Sequence, residues 1–457
     1  MEYISTRGGI EPVNLTRAVM MGLADDGGLL LPATIPDVQA ALPQWRQLAY
    51  ADLAVEVIKR FSDADDLPPA RLAQIVKTSY AVFEHDHITP VIPVGDLFIQ
   101  EMFHGPTLAF KDLALQFLGN LFEYIIGRDG GRLNILVATS GDTGSAAIHG
   151  IRGRDHLSIF VLHPHNKVSE LQERQMTTVL DDNVHNIAVE GTFDDGQRII
   201  KALFGDLEFK QAHHLGAVNS INWARVLAQV VYYFYGAFRV QDQTGADKVD
   251  VCVPTGNFGN IFAGYVARRM GAPIDHLILA TNQNDILSRY FTSGVYELGE
   301  VHPTSSPSMD IQVASNFERY LYYQLGQDGD EVARLMRQFQ QTGRIAPAGE
   351  PDPTVLTGVC DEDTTLATIG RVYNDHGYQL DPHTAVGVHV AGHARRDRPV
   401  LCLATAHPAK FPEAVGRATG HTPTHPVLED LKSRPTRCRV LPADCDDVRR
   451  FILETLA

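Results

Sequence analysis

"VDVCVPTGNFGNIFAGYVARRM", residues 249–270, is the stretch of sequence that decides the fold. An apolar run over 249–253 leads into a glycine-rich turn, and apolar residues then recur over 261–270 at the spacing of a helix. Apolar runs joined by helices are typical of parallel strands that are buried on both faces. The stretch therefore predicts a strand, a turn and a helix of an α/β fold.

The same alternation recurs on both sides of this stretch. Apolar runs that are each followed by a helical pattern lie at 134–140, 157–164, 186–191, 276–282 and 399–406, and a further strand-like run lies at 97–103. Together these runs predict an α/β protein with two doubly wound open-sheet domains.

Residues 1–95 have a different pattern, because 50–61 and 70–83 carry apolar residues at helical spacing. We therefore predict a mostly helical N-terminal domain over 1–95. The α/β core, with two lobes, is predicted over 96–410, and a C-terminal helical segment that closes the core over 411–457.

The bulk composition excludes several classes of function. The chain has 457 residues and a formal net charge of −16, which disfavours nucleic acids and anionic membranes as partners. Its five cysteines form no CxxC pair, and its 19 histidines show no metal-binding spacing. No signal peptide or membrane-spanning run is apparent in the sequence. We expect a cytoplasmic enzyme without a metal.

The turn "PTGNFGN", residues 254–260, is the first of three that look chemical. Its glycines permit close backbone approach, its asparagines can donate hydrogen bonds, and the following helix directs its positive end at the turn. It lacks both GK[ST] and GxGxxG, so it is neither a Walker loop nor a dinucleotide fingerprint. A phosphate cup for a smaller cofactor fits best; a tight turn with incidental glycines is the alternative.

The second turn is "ATSGDTGSAA", residues 138–147. Ser140, Asp142 and Thr143 place short polar side chains beside Gly141 at the start of a helix. Backbone N–H groups and hydroxyls in such a turn can bind a carboxylate. From this segment alone, ordinary helix capping is an equally good interpretation.

The third turn, "HGPTLAFKDLAL", residues 104–115, contains Lys111 just before a helical pattern that begins at Asp112. Lys111 can be an exposed surface lysine, a phosphate-binding lysine or a lysine that forms a covalent imine. A helix N-terminus and apolar neighbours both lower the pKa of a lysine and favour the nucleophilic amine. The local sequence alone leaves the surface and functional interpretations equally favoured.

Together the three turns point to one cofactor. A reactive amine, a phosphate turn without its own lysine and an anion-binding Ser/Thr turn are the groups that pyridoxal phosphate requires. Because 254–260 supplies the phosphate site, Lys111 is not needed for that role.

Eight segments resemble the threonine synthase family, of the pyridoxal-phosphate fold type II (tryptophan synthase β-like) superfamily, and occur in that family's order. They are "YISTRG" (3–8), "HGPTLAFKD" (104–112), "ATSGDTGSAA" (138–147), "NSINWAR" (219–225), "PTGNFGN" (254–260), "SMDIQVASNFER" (308–319), "LDPHTAVG" (380–387) and "ATAHPAKF" (404–411). The fourth and sixth segments point to the longer bacterial and fungal branch. Neither 308–319 nor 380–387 shows a physical role in the sequence.

The resemblance implies roles for residues around the cofactor. Lys111 would hold pyridoxal 5'-phosphate through an imine, and Asp142 would lie near its 3'-oxygen. Thr405 would hydrogen-bond the pyridine nitrogen. The cofactor's phosphate would be bound by Gly256, Asn257, Phe258, Gly259 and Asn260.

The resemblance also implies a substrate site. Ser140, Gly141 and Thr143 would hold the substrate carboxylate. The substrate phosphate would be bound by Asn219, Ser220 and Arg225. Asn and Ser are natural helix caps, and an arginine one turn inside the helix can reach an anion at its mouth. Without the resemblance, Asn219 is better interpreted as a cap and Arg225 as a surface residue.

The implied reaction converts O-phospho-L-homoserine and water to L-threonine and phosphate, the last step of threonine biosynthesis, in a monomer or homodimer. A phospho-lyase or a serine/threonine dehydratase is the alternative within the cofactor class. A regulatory relative that binds ligand without turnover is the alternative outside it. A nucleotide-binding protein is disfavoured because both glycine fingerprints are missing.

Overall fold

The computed structural model describes residues 1–139, 141–394 and 397–456. In these residues the strands are β1 (Tyr3–Ser5), β2 (Leu30–Pro32), β3 (Val91–Val94), β4 (Leu97–Glu101), β5 (Leu133–Ala138), β6 (Leu157–Pro164), β7 (Val184–Glu190), β8 (Leu215–Gly216), β9 (Val249–Pro254), β10 (Ile274–Thr281), β11 (Tyr296–Glu297), β12 (Arg344–Ile345), β13 (Val355–Val359), β14 (Val400–Ala404) and β15 (Arg439–Pro442).

The helices are α1 (Leu15–Met21), α2 (Leu42–Trp45), α3 (Tyr50–Ile58), α4 (Pro69–Tyr80), α5 (Lys111–Asp129), α6 (Asp142–Ile151), α7 (Glu170–Thr177), α8 (Phe193–Gly205), α9 (Leu207–Ala212), α10 (Trp223–Thr244), α11 (Gly259–Met270), α12 (Ile286–Ser293), α13 (Phe317–Gln324), α14 (Gly329–Thr342), α15 (Glu362–His376), α16 (Pro382–His393), α17 (Pro412–Thr419), α18 (Pro426–Leu431) and α19 (Cys445–Leu456). Short 3₁₀ turns lie at Gln39–Ala41, Lys59–Phe61, Pro307–Met309 and Pro408–Lys410.

The chain forms two compact units. The larger unit comprises Met1–Phe110 and Ser220–Pro423, and the smaller unit comprises Lys111–Asn219 and Thr424–Ala457. Because the chain passes from one unit to the other and back, neither unit is a continuous segment. The predicted boundaries after residues 95 and 410 stay predictions.

The larger unit contains a six-stranded sheet in the order β13-β10-β9-β14-β4-β3. Its strands pair in parallel except for β3, which is antiparallel to β4. The predicted strands at 97–103, 249–253, 276–282 and 399–406 are confirmed as β4, β9, β10 and β14. All six residues of β9 are buried, as expected for a central strand of a covered parallel sheet.

The smaller unit contains a parallel five-stranded sheet in the order β15-β7-β6-β5-β8. The predicted strands at 134–140, 157–164 and 186–191 are confirmed as β5, β6 and β7. Apolar residues of this sheet form a core with α8 and α19, into which Val448 and Ile452 are fully buried. The predicted α/β architecture is therefore present in both units.

Helices α5 and α6 of the smaller unit pack with unusually close backbones. A Cβ atom at Gly119 would lie 1.9 Å from the carbonyl oxygen of Gly150, so only glycine permits this approach. The close contact fixes α5, whose first residue is Lys111, against α6, whose first residue is Asp142. The packing of two helices thus positions two predicted site residues.

Residues 1–95 contain helices α1 to α4 together with the short strands β1, β2 and β3, so helix is the main regular structure of this region, in agreement with the predicted helical N-terminal segment. β1 and β2 form an antiparallel pair. Within the described part of the chain, no helix combines the length and apolar content that a membrane crossing needs.

Candidate active site

The segment that leads into Lys111 is held against residues 404–411 within the larger unit. The N–H of Phe110 donates to the carbonyl oxygen of Thr405 at 2.8 Å, and the N–H of His407 donates to that of Leu108 at 3.0 Å. Leu108 has a φ of +58°, which is uncommon for a branched side chain. Tertiary hydrogen bonds therefore hold a turn that its local sequence disfavours.

Lys410 strengthens the same pairing. Its side chain is buried, with 2% of the residue exposed, and Nζ donates to the carbonyl oxygen of Thr107 at 2.7 Å. No local pattern marks this lysine, because its partner Thr107 lies 303 positions away in the chain.

Lys111 is the first residue of α5 and its side chain is 11% exposed, so the surface interpretation of this lysine is wrong. Its Nζ lies 3.5 Å from Oδ2 of Asp142, whose side chain is 5% exposed. The carboxylate compensates an ammonium that lies at the positive end of a helix. The structure thus brings together two residues that the sequence predicted for one cofactor. The predicted lowering of the pKa of Lys111 stays a prediction.

The turn around Asp142 is organised by two residues that the sequence analysis missed. Gln172 donates from Nε2 to Oδ1 of Asp142 at 3.3 Å. Oγ1 of Thr139 accepts the N–H groups of Gly141 and Gly144, each at 3.0 Å. The predicted ligand Ser140 lies outside the described residues. Thr143 lies in the first turn of α6, where backbone N–H groups have no intrahelical acceptor.

The predicted phosphate turn connects the buried strand β9 to α11, as expected. A Cβ atom at Gly256 would lie 2.4 Å from the carbonyl oxygen of Ser308, so this glycine is required by contact with a neighbouring backbone. Phe258 adopts a φ of +63°, and its ring packs against those of Phe317 and Tyr320. Aromatic packing therefore stabilises an uncommon backbone conformation directly before the helix.

The two asparagines of this turn have different roles. The carbonyl oxygen of Asn257 accepts hydrogen bonds from the backbone N–H and Nδ2 of Asn316, at 3.1 and 3.2 Å. Oδ1 of Asn260 accepts hydrogen bonds from the hydroxyls of Tyr232 and Tyr233. Nδ2 of Asn260 is buried and has no acceptor among the described residues. A buried, unsatisfied donor at a helix N-terminus fits an anion.

The segment 219–225 is only partly as predicted. Helix α10 begins at Trp223, and its cap is Asn222, whose side-chain oxygen accepts the N–H of Ala224 at 3.1 Å. The interpretation of Asn219 and Ser220 as caps is therefore wrong; Asn219 is exposed.

Ser220 and Arg225 lie in the larger unit. Oγ of Ser220 is 3.0 Å from Oγ of Ser315, and its carbonyl oxygen accepts Nδ2 of Asn316 at 3.3 Å. Arg225 is 4% exposed, which excludes the surface interpretation. Burial lowers the pKa of its guanidinium to about 10, so it remains cationic at neutral pH.

Sequence profiles of known families match most of the chain. The profile "Threonine synthase N terminus" matches residues 2–80, "Pyridoxal-phosphate dependent enzyme" matches 82–350, and "Threonine synthase, C-terminal" matches 384–452. A threonine synthase of Pseudomonas aeruginosa is 47% identical, and the alignment covers 99% of this chain and 98% of that protein.

Solved structures agree with these profiles. The pyridoxal-phosphate-bound threonine synthase from Brucella melitensis matches with a TM-score of 0.94 at 44% identity, over 100% of this chain and 99% of the other. Threonine synthase from yeast matches with a TM-score of 0.93 at 41% identity, over 100% and 98% of the two chains.

The chain belongs to the threonine synthase family. The predicted family and its pyridoxal-phosphate fold type II architecture are confirmed.

The structure gives a role to the threonine synthase segment 308–319, which the sequence left unexplained. Arg319 is fully buried, and its guanidinium donates to the carbonyl oxygens of Leu30 and Ile221. Glu318 accepts hydrogen bonds from the side chains of Thr6 and Arg7. The segment therefore links the N-terminal "YISTRG" motif to strand β2, which contains Leu30, and to the loop before α10, which contains Ile221.

A pocket of about 690 Å³ in the larger unit lies apart from these threonine synthase motifs. It is lined by the turn between β3 and β4 and by faces of α15 and α16, including Arg371, His376 and His389. None of the predicted site residues lines it.

Proposed function

We propose that this protein is a threonine synthase that converts O-phospho-L-homoserine and water to L-threonine and phosphate with pyridoxal phosphate. The observation that carries the proposal is the buried amine of Lys111 at the start of α5, 3.5 Å from Asp142, in a chain that matches threonine synthases along its whole length. An amine and a carboxylate in this arrangement can exchange a proton, as the reaction requires.

The residues present fit pyridoxal phosphate. The turn over 254–260 offers the N-terminus of α11, the space at Gly256 and the buried donor Nδ2 of Asn260 for a phosphate group. Lys111 supplies the amine that would hold the cofactor's aldehyde carbon. The hydroxyl of Thr405, which follows β14, is the proposed partner of the pyridine nitrogen. When bound, the cofactor supplies an electron sink for bonds broken at the substrate's Cα.

The proposed protein steps are proton transfers. The Lys111 amine takes the proton from the substrate's Cα and helps to remove one from Cβ as phosphate leaves Cγ. A proton then returns to Cγ, which becomes the methyl group, and after water has added at Cβ the amine returns a proton to Cα. Asp142 lies within reach of the same nitrogen and stabilises its protonated form between these steps. Gln172 orients the carboxylate by donating to its other oxygen.

The substrate has two anionic groups, and we assign each a site. The carboxylate is assigned to Ser140, Gly141 and Thr143. The N–H of Gly141 already donates to Oγ1 of Thr139. The hydroxyl and N–H of Thr143 are therefore the stronger donors to the substrate carboxylate. The phosphate is assigned to Asn219, Ser220 and Arg225. The buried guanidinium of Arg225 matches phosphate geometry and would stabilise the leaving dianion.

The test is an assay of O-phospho-L-homoserine turnover with product identification, run beside the visible spectrum. The proposal predicts threonine and phosphate in equal amounts. Release of α-ketobutyrate would instead identify a phospho-lyase or dehydratase, and a protein that gains no visible absorbance with pyridoxal phosphate would be a ligand-binding relative.

Lys111→Ala tests the catalytic assignment. We expect turnover to fall by about 10³-fold or more, because the variant lacks its acid–base group. Lys201→Ala, which removes an exposed lysine of the same unit, is the matched control. Turnover of the Lys111 variant at the rate of the control would refute the assignment.

The cytoplasmic location, the monomeric or homodimeric state and the two domain boundaries are further parts of the proposal that rest on the sequence. Size-exclusion chromatography with light scattering measures the oligomeric state directly.

A further inference from the structure

The segment "LDPHTAVG", residues 380–387, places a buried carboxylate at the N-terminus of α16. Asp381 is 1% exposed. Oδ1 accepts the N–H of His383 at 2.9 Å and lies 2.9 Å from Nδ1 of the same ring. Oδ2 accepts the N–H of Thr384 at 3.3 Å and also the Thr384 hydroxyl. One carboxylate therefore binds four groups on two successive residues.

A carboxylate only accepts hydrogen bonds, and this sets the direction of both branches. The Thr384 hydroxyl donates a hydrogen bond to Asp381, and its Oγ1 can therefore accept the N–H of Thr405 at 3.3 Å. The His383 ring donates its Nδ1–H to Asp381, and its Nε2 can therefore accept the N–H of Ser308 at 3.3 Å. Each neighbour is thus converted into an acceptor for a backbone N–H.

One branch ends at Thr405, which is assigned to the cofactor, and the other ends at Ser308, which contacts the Gly256 turn. The first fixes the backbone of Thr405, whose carbonyl oxygen is held by Phe110, the residue before Lys111. The second fixes Ser308, whose carbonyl oxygen occupies the space that a side chain at Gly256 would need.

We propose that Asp381 is a positioning residue that orients Thr405 and the Gly256 turn for pyridoxal phosphate through Thr384 and His383. This inference rests on the proposed function, because it uses the assignments of Thr405 and the turn.

Helix capping alone is the competing explanation for Asp381. The adjacent helix α15 offers a direct comparison, since Asp361 caps it by accepting the N–H of Thr364 at 2.8 Å. Asp361 is exposed, and none of its hydrogen bonds among the described residues goes to a predicted site residue. A capping role predicts the same kind of effect at both positions, namely a loss of stability without an effect on cofactor binding.

The test compares Asp381→Asn, Thr384→Val and Asp361→Asn in the full-length protein. Each oxygen of Asp381 serves one branch, and an amide replaces one of these oxygens with an NH2 donor. Asp381→Asn therefore removes the acceptor for either His383 or Thr384. Thr384→Val keeps the side-chain shape and removes the acceptor for the Thr405 N–H. Thr384→Ser restores the hydroxyl and measures rescue.

The readouts are the dissociation constant of pyridoxal phosphate, the wavelength of its bound absorption band, thermal unfolding without cofactor, and kcat and KM for O-phospho-L-homoserine. We expect Asp381→Asn and Thr384→Val each to weaken cofactor binding about tenfold, since a buried N–H loses its acceptor. The band should shift and kcat should fall more than KM changes. Thr384→Ser should recover most of the loss. Asp361→Asn should leave cofactor affinity and kcat unchanged, with at most a small loss of stability, because Asn caps a helix about as well as Asp.

Wild-type cofactor affinity and spectrum in Thr384→Val, with only a lower unfolding temperature, would overturn the positioning role. If Asp381→Asn does not fold, the cofactor affinity and spectrum of Thr384→Val still test the positioning role. Failure of the proposed function is separate: it would appear as wild-type protein that binds the cofactor but forms no threonine, whatever the variants do.

Discussion

Gly256→Ala tests the phosphate turn by adding one methyl group. The new Cβ would lie 2.4 Å from the Ser308 carbonyl oxygen, whereas an ordinary contact between such atoms is about 3.4 Å or more. The turn or the Ser308 backbone must therefore move by about 1 Å. Overpacking of this kind costs roughly 1–3 kcal/mol. Because the proposed site for the cofactor's phosphate uses the same backbone, we expect the affinity for pyridoxal phosphate to fall by about thirtyfold, or about 2 kcal/mol.

Gly259→Ala is the matched control in the same turn. Its Cβ would lie 3.1 Å from Nδ2 of Asn316, a contact that a shift of a few tenths of an ångström relieves. We therefore expect a smaller loss of affinity than for Gly256→Ala. Titration of each variant with pyridoxal phosphate, followed by absorbance and by thermal unfolding, measures both effects. Equal affinities for wild type and Gly256→Ala would refute the reasoning that this glycine positions the phosphate site.

Two further predictions concern stability. Arg319→Met leaves the buried carbonyl oxygens of Leu30 and Ile221 without their donor, so the free energy of unfolding should fall by about 3 kcal/mol in denaturant titrations; wild-type stability would show that removing a buried cation offsets the lost hydrogen bonds. Burial lowers the pKa of His185 to about 4, below its unfolded value of about 6.5. The unfolded chain therefore binds more protons between pH 4 and 6.5, and stability falls as the pH falls through this window. His185→Gln should flatten that dependence, whereas the exposed His421→Gln should leave it unchanged.

The sequence predicted central strands and missed edge strands. β5, β6, β9, β10 and β14 have neighbours on both sides and are continuous apolar runs. The missed strands β3, β8, β13 and β15 each lie at an edge of a sheet. Edge strands are partly exposed, and β3 and β15 also contain proline, which an edge tolerates. Their sequences therefore lack the apolar continuity that reveals a buried strand.

The candidate site shows a similar division between motifs and their supports. Lys111 and the glycine turns stand out locally, because each lies at a junction of a strand and a helix. Their supports, such as Thr139, Gln172 and Asn316, are ordinary polar residues until their partners are known. The bond from Thr6 to Glu318 spans 312 positions, and no local pattern can predict it. Arg225 illustrates the same limit, since its burial follows from tertiary packing rather than from its neighbours in sequence.

The proposed cofactor lysine and the proposed phosphate turn belong to different segments of the chain, and this division has a chemical reason. An ammonium paired directly with a phosphate would be held in its charged form by that dianion and could not act as a base. In this chain the turn at 254–260 contains no lysine, and the N-terminus of α11 with Nδ2 of Asn260 offers uncharged donors instead. Lys111 instead faces Asp142 at 3.5 Å, a carboxylate that can stabilise a proton without binding the cofactor's phosphate. In the proposed site Lys111 therefore pairs with a carboxylate of one negative charge, which favours its protonated form less strongly than a phosphate dianion would.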